Sequence, residues 1–189
     1  RMQNTGVSPD SADSPWYAAF CREVDMTHGR SHFRKSPGAG RVPLIEGRMV
    51  PPHRLGSKAY VSGEGRSAVW RNVAPGKSTI APQFWMALNA LSEQAIARVK
   101  TSRVGFCDIT GQTNERSMMA AMIPSGFVCG NKVPTIIFPN DLSEGRLFLW
   151  LGIVNSLPFD WLIRRVVTTT VNYFVLLSLK LPALEPDSL

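Results

Sequence analysis

The chain has 189 residues, 44% hydrophobic and 19% charged, which suits one packed domain and excludes collagen-like, coiled-coil, disulfide-scaffold and wholly disordered chains. Lys and Arg number 21 against 14 Asp and Glu, a net charge of +7. The surplus is uneven: residues 1–71 carry eleven bases and six acids, a net of +5, while 72–140 carry +3 and 141–189 carry −1. Such a balance draws a polyanion such as nucleic acid, and a merely soluble basic surface is the bland alternative.

The three cysteines, Cys21, Cys107 and Cys129, show no C-x-x-C spacing. That argues for free thiols in a reducing, cytoplasmic setting and against a disulfide framework or a zinc ribbon. The longest apolar stretch, residues 147–163, is interrupted by Asn155, Pro158 and Asp160, so no membrane partner is expected. The chain opens on Arg1 with no visible leader and is expected to be a fragment of a longer protein.

In chain order, residues 1–15 are polar and rich in turn formers, and read as a flexible arm or linker before a domain spanning 16–189. A short amphipathic piece, Trp16 to Val24, precedes a Gly-, Ser- and Arg-rich loop up to Arg41. Val42 to Val50 starts as a strand that bends at Gly47, Lys58 to Ser62 alternates at the strand period, and a turn at 63–66 leads to a short strand over 67–70. Within Ala81 to Lys100, Phe84, Leu88, Leu91, Ala95 and Val99 recur at helical steps, and Arg98 and Lys100 suit a helix C-terminus, so a helix is expected somewhere within this stretch. Residues 103–109, 117–123 and 135–138 are strand-like. Leu147 to Val167 reads as two short helices broken where Asn155-Ser156 can cap the second and Pro158 enters its first turn. Tyr173 to Leu181 is expected to be extended. The sum is an α+β domain with a mixed, mainly antiparallel sheet and a few packed helices.

Several motifs fail on physical grounds. Residues 63–68 match G-x-G-x-x-A, but Pro75-Gly76 leaves no room for a phosphate-binding helix, so a hairpin turn is the better reading. Gly76-Lys77-Ser78 lacks the leading glycine of a P-loop, since Arg71 stands there. His28 and His32 near Asp25 lack the glutamate of H-E-x-x-H and read as an exposed pair. No serine sits in G-x-S-x-G, and no cysteine has the setting of a known nucleophile, so no catalytic or metal-binding residue is assigned. A hydrolase built on Cys107 or His28 is the remote rival.

Three blocks, in order, carry a resemblance. Val42-Pro43-Leu44-Ile45-Glu46-Gly47-Arg48-Met49-Val50 with His53-Arg54 is similar to a "P-L-Y-E-G-K-M … D-H-R" block. Phe106-Cys107-Asp108-Ile109, Thr113-Asn114-Glu115-Arg116-Ser117 and Ala120-Ala121-Met122-Ile123-Pro124 are similar to "F-R-D-I-A-R-S-T-N-E-R-T … A-A-I-I-P". Leu151 to Ser156, Phe159 to Arg164, Asn172-Tyr173-Phe174 and Leu181-Pro182 are similar to "L-L-N-S-x-x-F-D-Y-L-L-R … L-N-F-F … L-P", and Val24-Asp25-Met26-Thr27 also fits. Together they cover roughly residues 20–183 and resemble the TaqI-like C-terminal target recognition domain of restriction–modification N6-adenine DNA methyltransferases. The chain departs from that pattern at Pro52, where the family has Asp, and at Gly111-Gln112, where it has Arg-Ser. It also lacks the family's N/D-P-P-Y/F motif and its Gly-rich loop for S-adenosylmethionine.

The resemblance implies sequence-specific duplex DNA recognition for a type II or IIG adenine-N6 methyltransferase whose catalytic half precedes this chain. It implies double-stranded DNA and that N-terminal methyltransferase domain as partners, no cofactor in this chain, and S-adenosylmethionine for the parent enzyme. A stand-alone DNA specificity subunit serving a separate methyltransferase chain is the alternative. Candidate DNA contacts are Arg34, Arg41, Arg48, His53, Arg54, Lys58, Arg66, Gln112, Thr113, Asn114 and Arg116, with Arg30, Lys35 and Arg71 beside them. Arginine forks suit phosphate and guanine, and Asn or Gln suit adenine. Against contact with DNA, Glu115-Arg116 could be an internal ion pair, Asn155 and Asp160 helix caps, and Arg164-Arg165 a helix end; Trp150, Phe159, Trp161 and Phe174 are expected in the core.

Overall fold

Short apolar runs between Gly, Pro and polar turns leave room only for short elements. The computed structural model describes residues 6–77, 80–141 and 143–183. In chain order these form β1 (Ala19–Cys21), β2 (Phe33–Arg34), β3 (Arg41–Ile45), β4 (Lys58–Ser62), β5 (Val69–Asn72), β6 (Trp85–Ala87) and α1 (Glu93–Val99). Then come β7 (Arg103–Phe106), β8 (Ala120–Ile123), β9 (Val128–Cys129), β10 (Thr135–Ile137), α2 (Glu144–Val154), α3 (Leu157–Arg164) and α4 (Tyr173–Leu177).

One sheet, ordered β1-β10-β7-β8, is antiparallel throughout. A second, ordered β2-β6-β3-β9, is antiparallel except where β3 runs parallel to β9. β4 and β5 form a separate hairpin with a bulge between Tyr60 and Ser62. The fold is α+β with mixed, mainly antiparallel pairing. The first sheet buries Val104, Phe106 and Ile136 against Trp150, Leu151, Phe159, Ile163 and Leu176 of the last three helices. The second packs Val42, Leu44 and Met86 against Leu91, Ala95 and Val99 around α1. Ile45, Met49, Ala121, Ile123, Cys129 and Val133 fill the seam between the sheets.

That seam holds a buried ion pair. Glu23 and Arg103 have no exposed side-chain surface, and Arg103 Nε donates to Glu23 Oε1 at 2.6 Å while its second nitrogen donates to Oε2 at 2.8 Å. Glu23 also accepts from the Cys129 amide and the Thr135 hydroxyl, each at 2.8 Å. Arg103 donates further to the carbonyls of Phe127 and Thr101. The pair thereby joins β7 and β10 of the first sheet to β9 of the second.

Several expectations are corrected. The helix expected within 81–100 is present as α1, but it has only seven residues, and the apolar spacing ahead of it belongs to a strand and a 3₁₀ turn. Trp85–Ala87 satisfies the open edges of both β2 and β3, and Ser92, accepting from the Ala95 amide, starts α1 late. The segment expected to be extended after Tyr173 opens as α4: the Asn172 side chain caps it through the Val175 amide, and Leu176 and Leu179 bury at helical spacing. Phe174, expected in the core, is 83% exposed, and Trp161 is 58% exposed and stacks under Arg165. Trp150 and Phe159 are buried as expected.

Of the arm expected over 1–15, residues 6–15 are described; Val7 pairs with Leu181, and Trp16 Nε1 donates to the Pro182 carbonyl at 2.7 Å. All three cysteines are free and buried. Among the described residues no single helix is long and apolar enough to cross a membrane, and α2 and α3 are bent by 63° at their break.

Glu23→Gln leaves Arg103 buried with half its partner gone, and is expected to cost about 3–5 kcal/mol in urea denaturation. Combining it with Arg103→Met is expected to recover part of that loss.

Candidate nucleic-acid interface

The three sequence blocks that carry the resemblance meet in space. After β3 the chain turns through a 3₁₀ segment, Gly47–Met49, and His53 takes a left-handed backbone with φ of 59°. The His53 amide donates to the Ala120 carbonyl at 2.8 Å. The Asn155 amide, at the end of α2, pairs with both backbone groups of Ala120 at 3.0 and 2.8 Å, and its nitrogen lies 3.4 Å from His53 Nδ1. One residue of β8 thus ties the first block to the third.

The loop 110–117 is held just as tightly. Asp160 Oδ1 accepts from the Ser117 and Met118 amides at 2.7 and 2.9 Å, and Oδ2 accepts from Arg164 at 2.8 Å. Arg164 also donates to the carbonyls of Gln112, Asn114 and Glu115. Burial pushes the Asp160 carboxyl up, and the hydrogen bonds from Arg164 and the two amides outweigh it, so the group lies below its ordinary 3.8. Asn155 ends α2 and Asp160 lies in the first turn of α3, yet their side chains bind neighbouring segments instead of capping these helices.

Most candidates in this loop are occupied. The Gln112 amide donates to the Val167 carbonyl at 2.9 Å, and Asn114 reaches Thr110 Oγ1 at 3.4 Å. Arg116 donates to the Asn155 carbonyl and lies 3.6 Å from Asp160, so the internal pair expected with Glu115 gives way to one with Asp160. Thr113 is exposed and makes no side-chain hydrogen bond among the described residues. Sequence reasoning passed over Asp160 and Arg164 as the clamp of this loop; their i,i+4 spacing on one helix was the available signal.

The remaining cations fall into two groups. Arg54 is half-buried and donates to the Val73 and Ala74 carbonyls at 2.7 and 2.8 Å, pinning the end of the β4–β5 hairpin. Arg34 and Arg41 bond carbonyls of their own loop, and Arg30 and Lys35 both pair with Glu64. Lys35 holds the Glu64 carboxyl below its ordinary value. Lys58, Arg66 and Arg71, by contrast, are exposed and have no hydrogen-bonded or ionic partner among the described residues. They line the hairpin, whose tip requires Gly63: at φ +79° an added Cβ would sit 2.3 Å from the Ser67 carbonyl. Arg48 lies over the Trp70 ring at 5.3 Å, and Trp70 meets Tyr60 edge-on.

Between this hairpin and the first sheet lies a cleft of about 520 Å³, lined among others by Glu46, Arg48, Lys58, Cys107, Ile109 and Lys132. Burial pushes the Glu46 carboxyl up, with Arg48 opposing, and its Oε1 is buried with no hydrogen-bond partner among the described residues. Burial also pushes the Cys107 thiol up to about 11, which disfavours the thiolate a nucleophile needs. His28 is exposed and lies 3.2 Å from Asp25. Among the described residues no three His, Cys, Asp or Glu side chains converge as a metal site.

No family model matches the chain, and no curated protein is significantly similar to it.

Asp160→Ala removes the acceptor for two buried amides and for Arg164, and is expected to cost about 2–4 kcal/mol. A group depressed in the fold stabilises above its unfolded value and loses that contribution as pH falls through the folded one. The gap between wild type and variant in thermal melts is therefore expected to be full at neutral pH and to narrow as pH falls below 3.8.

Proposed function

We propose that this chain is a duplex DNA target recognition domain serving an adenine-N6 methyltransferase of a restriction–modification system. The observation that carries the reading is the meeting of the three resembling blocks at Ala120, Asn155 and Asp160, which makes them one structural unit. The exposed cations on the adjoining hairpin support it further, because Lys58, Arg66 and Arg71 have no ionic partner among the described residues. In this reading the hairpin grips phosphates, while the clamped loop 110–117 presents Thr113 and its neighbours at fixed height. Transfer of a methyl group to adenine N6 requires the base outside the stack, so the flanking duplex has to be held while S-adenosylmethionine chemistry proceeds in a separate catalytic half.

Arg66→Ala with Arg71→Ala is expected to weaken binding to every duplex by a similar factor and to reduce the log–log salt slope by about 0.9 for each lost phosphate contact. Arg54→Ala, in contrast, is expected to act mainly by lowering stability. Fluorescence anisotropy across a salt series checks both. Unchanged low-salt affinity in the hairpin variant defeats the reading, as does selection from random duplexes that returns no common sequence.

A further inference from the structure

We infer that the cleft between the Gly47–Met49 turn, β4 and the Cys107–Ile109 wall is a binding site for a single nucleotide whose base carries an exocyclic amino group. Its volume of about 520 Å³ falls within the range of small-molecule sites, and an inorganic anion fills only a small part of it. The lining combines features that a purely apolar ligand leaves unused. Arg48, Lys58 and Lys132 supply positive charge at the walls; Arg48 acts on the Glu46 carboxyl, Lys132 lies 3.9 Å from Asp108, and Lys58 has no ionic partner among the described residues. Met26 and Met119 provide polarisable apolar surface of the kind that packs against an aromatic ring. Glu46 Oε1 is buried with no donor, and burial has raised its carboxyl. Once the Glu46 side chain turns this oxygen to the cleft that it lines, an amino group from adenine, cytosine or guanine supplies the missing donor, while the cations take the 5′-phosphate. Thymine has no amino group, and its one base donor, N3–H, is flanked by two carbonyl oxygens that repel the second oxygen of a carboxylate.

The site does not depend on the duplex reading, since a free mononucleotide carries both groups it recognises. Isothermal titration of the intact chain at pH 7.5 with the four deoxynucleoside 5′-monophosphates and with inorganic phosphate tests it. Binding is expected for dAMP, dCMP and dGMP, with dTMP and phosphate at least about tenfold weaker, as for one hydrogen bond to a charged group. Glu46→Gln, which offers both donor and acceptor, is expected to erase most of the discrimination against dTMP. Lys58→Ala weakens all four nucleotides. Ile109→Trp, at a position 55% exposed on the cleft wall, is expected to block binding without altering the thermal melt, which keeps the test valid should Glu46→Gln fail to fold. Equal affinity for all four nucleotides, phosphate binding as tight as dAMP, or no nucleotide binding overturns the site. Duplex binding without mononucleotide binding removes the cleft and leaves the recognition reading, and the reverse result removes the recognition reading and leaves the cleft.

Discussion

A carboxylate and a guanidinium with no exposed surface must be hydrogen-bonded on every side, and Glu23 and Arg103 are. Their partners lie on β7, β9 and β10 and on the turns beside them, so the pair fixes how the two sheets meet. β9 is the parallel neighbour of β3, and the turn after β3 carries Glu46 and Arg48. The cleft floor and the hairpin above it therefore inherit their position from one buried pair. Apolar side chains of similar volume could fill the seam, but they would not specify which amide and which hydroxyl come to its centre.

The same logic governs the loop 110–117. It has no ladder of its own, so its amides and carbonyls need side-chain partners, and α3 supplies them through Asp160 and Arg164 four residues apart. Asn155 does the equivalent for Ala120 at the end of α2. The three blocks of sequence are thus held as one body by side chains whose charge and hydrogen bonds are consumed within it.

The parts of this arrangement that local pattern decides were legible. Lys58–Ser62 alternates and forms β4 over those residues, Gly63 demands its turn, and Asn155 to Pro158 breaks the paired helices. What was not legible depends on partners distant in sequence. Trp85–Ala87 is a strand because β2 and β3 both offer it an edge, despite a helical spacing of apolar residues around it. Tyr173–Leu177 is a helix because Asn172 caps it and Leu176 faces the core, and an apolar run alone carries neither fact. Trp161 and Phe174 are aromatic, yet each lies exposed on its helix, α3 and α4.

The division among the arginines follows from the backbone around them. A segment without regular pairing leaves carbonyls that attract guanidinium donors, and Arg34, Arg41, Arg54 and Arg164 are each drawn to such carbonyls. The β4–β5 hairpin pairs much of its own backbone, and the Gly63 and Glu64 carbonyls at its turn are met by the Tyr60 and Ser67 hydroxyls. On β4, β5 and the turn between them, Lys58, Arg66 and Arg71 are exposed and have no ionic partner among the described residues. Net charge therefore overstates the cation available to a polyanion, and the place to look for the remainder is where the backbone is already satisfied.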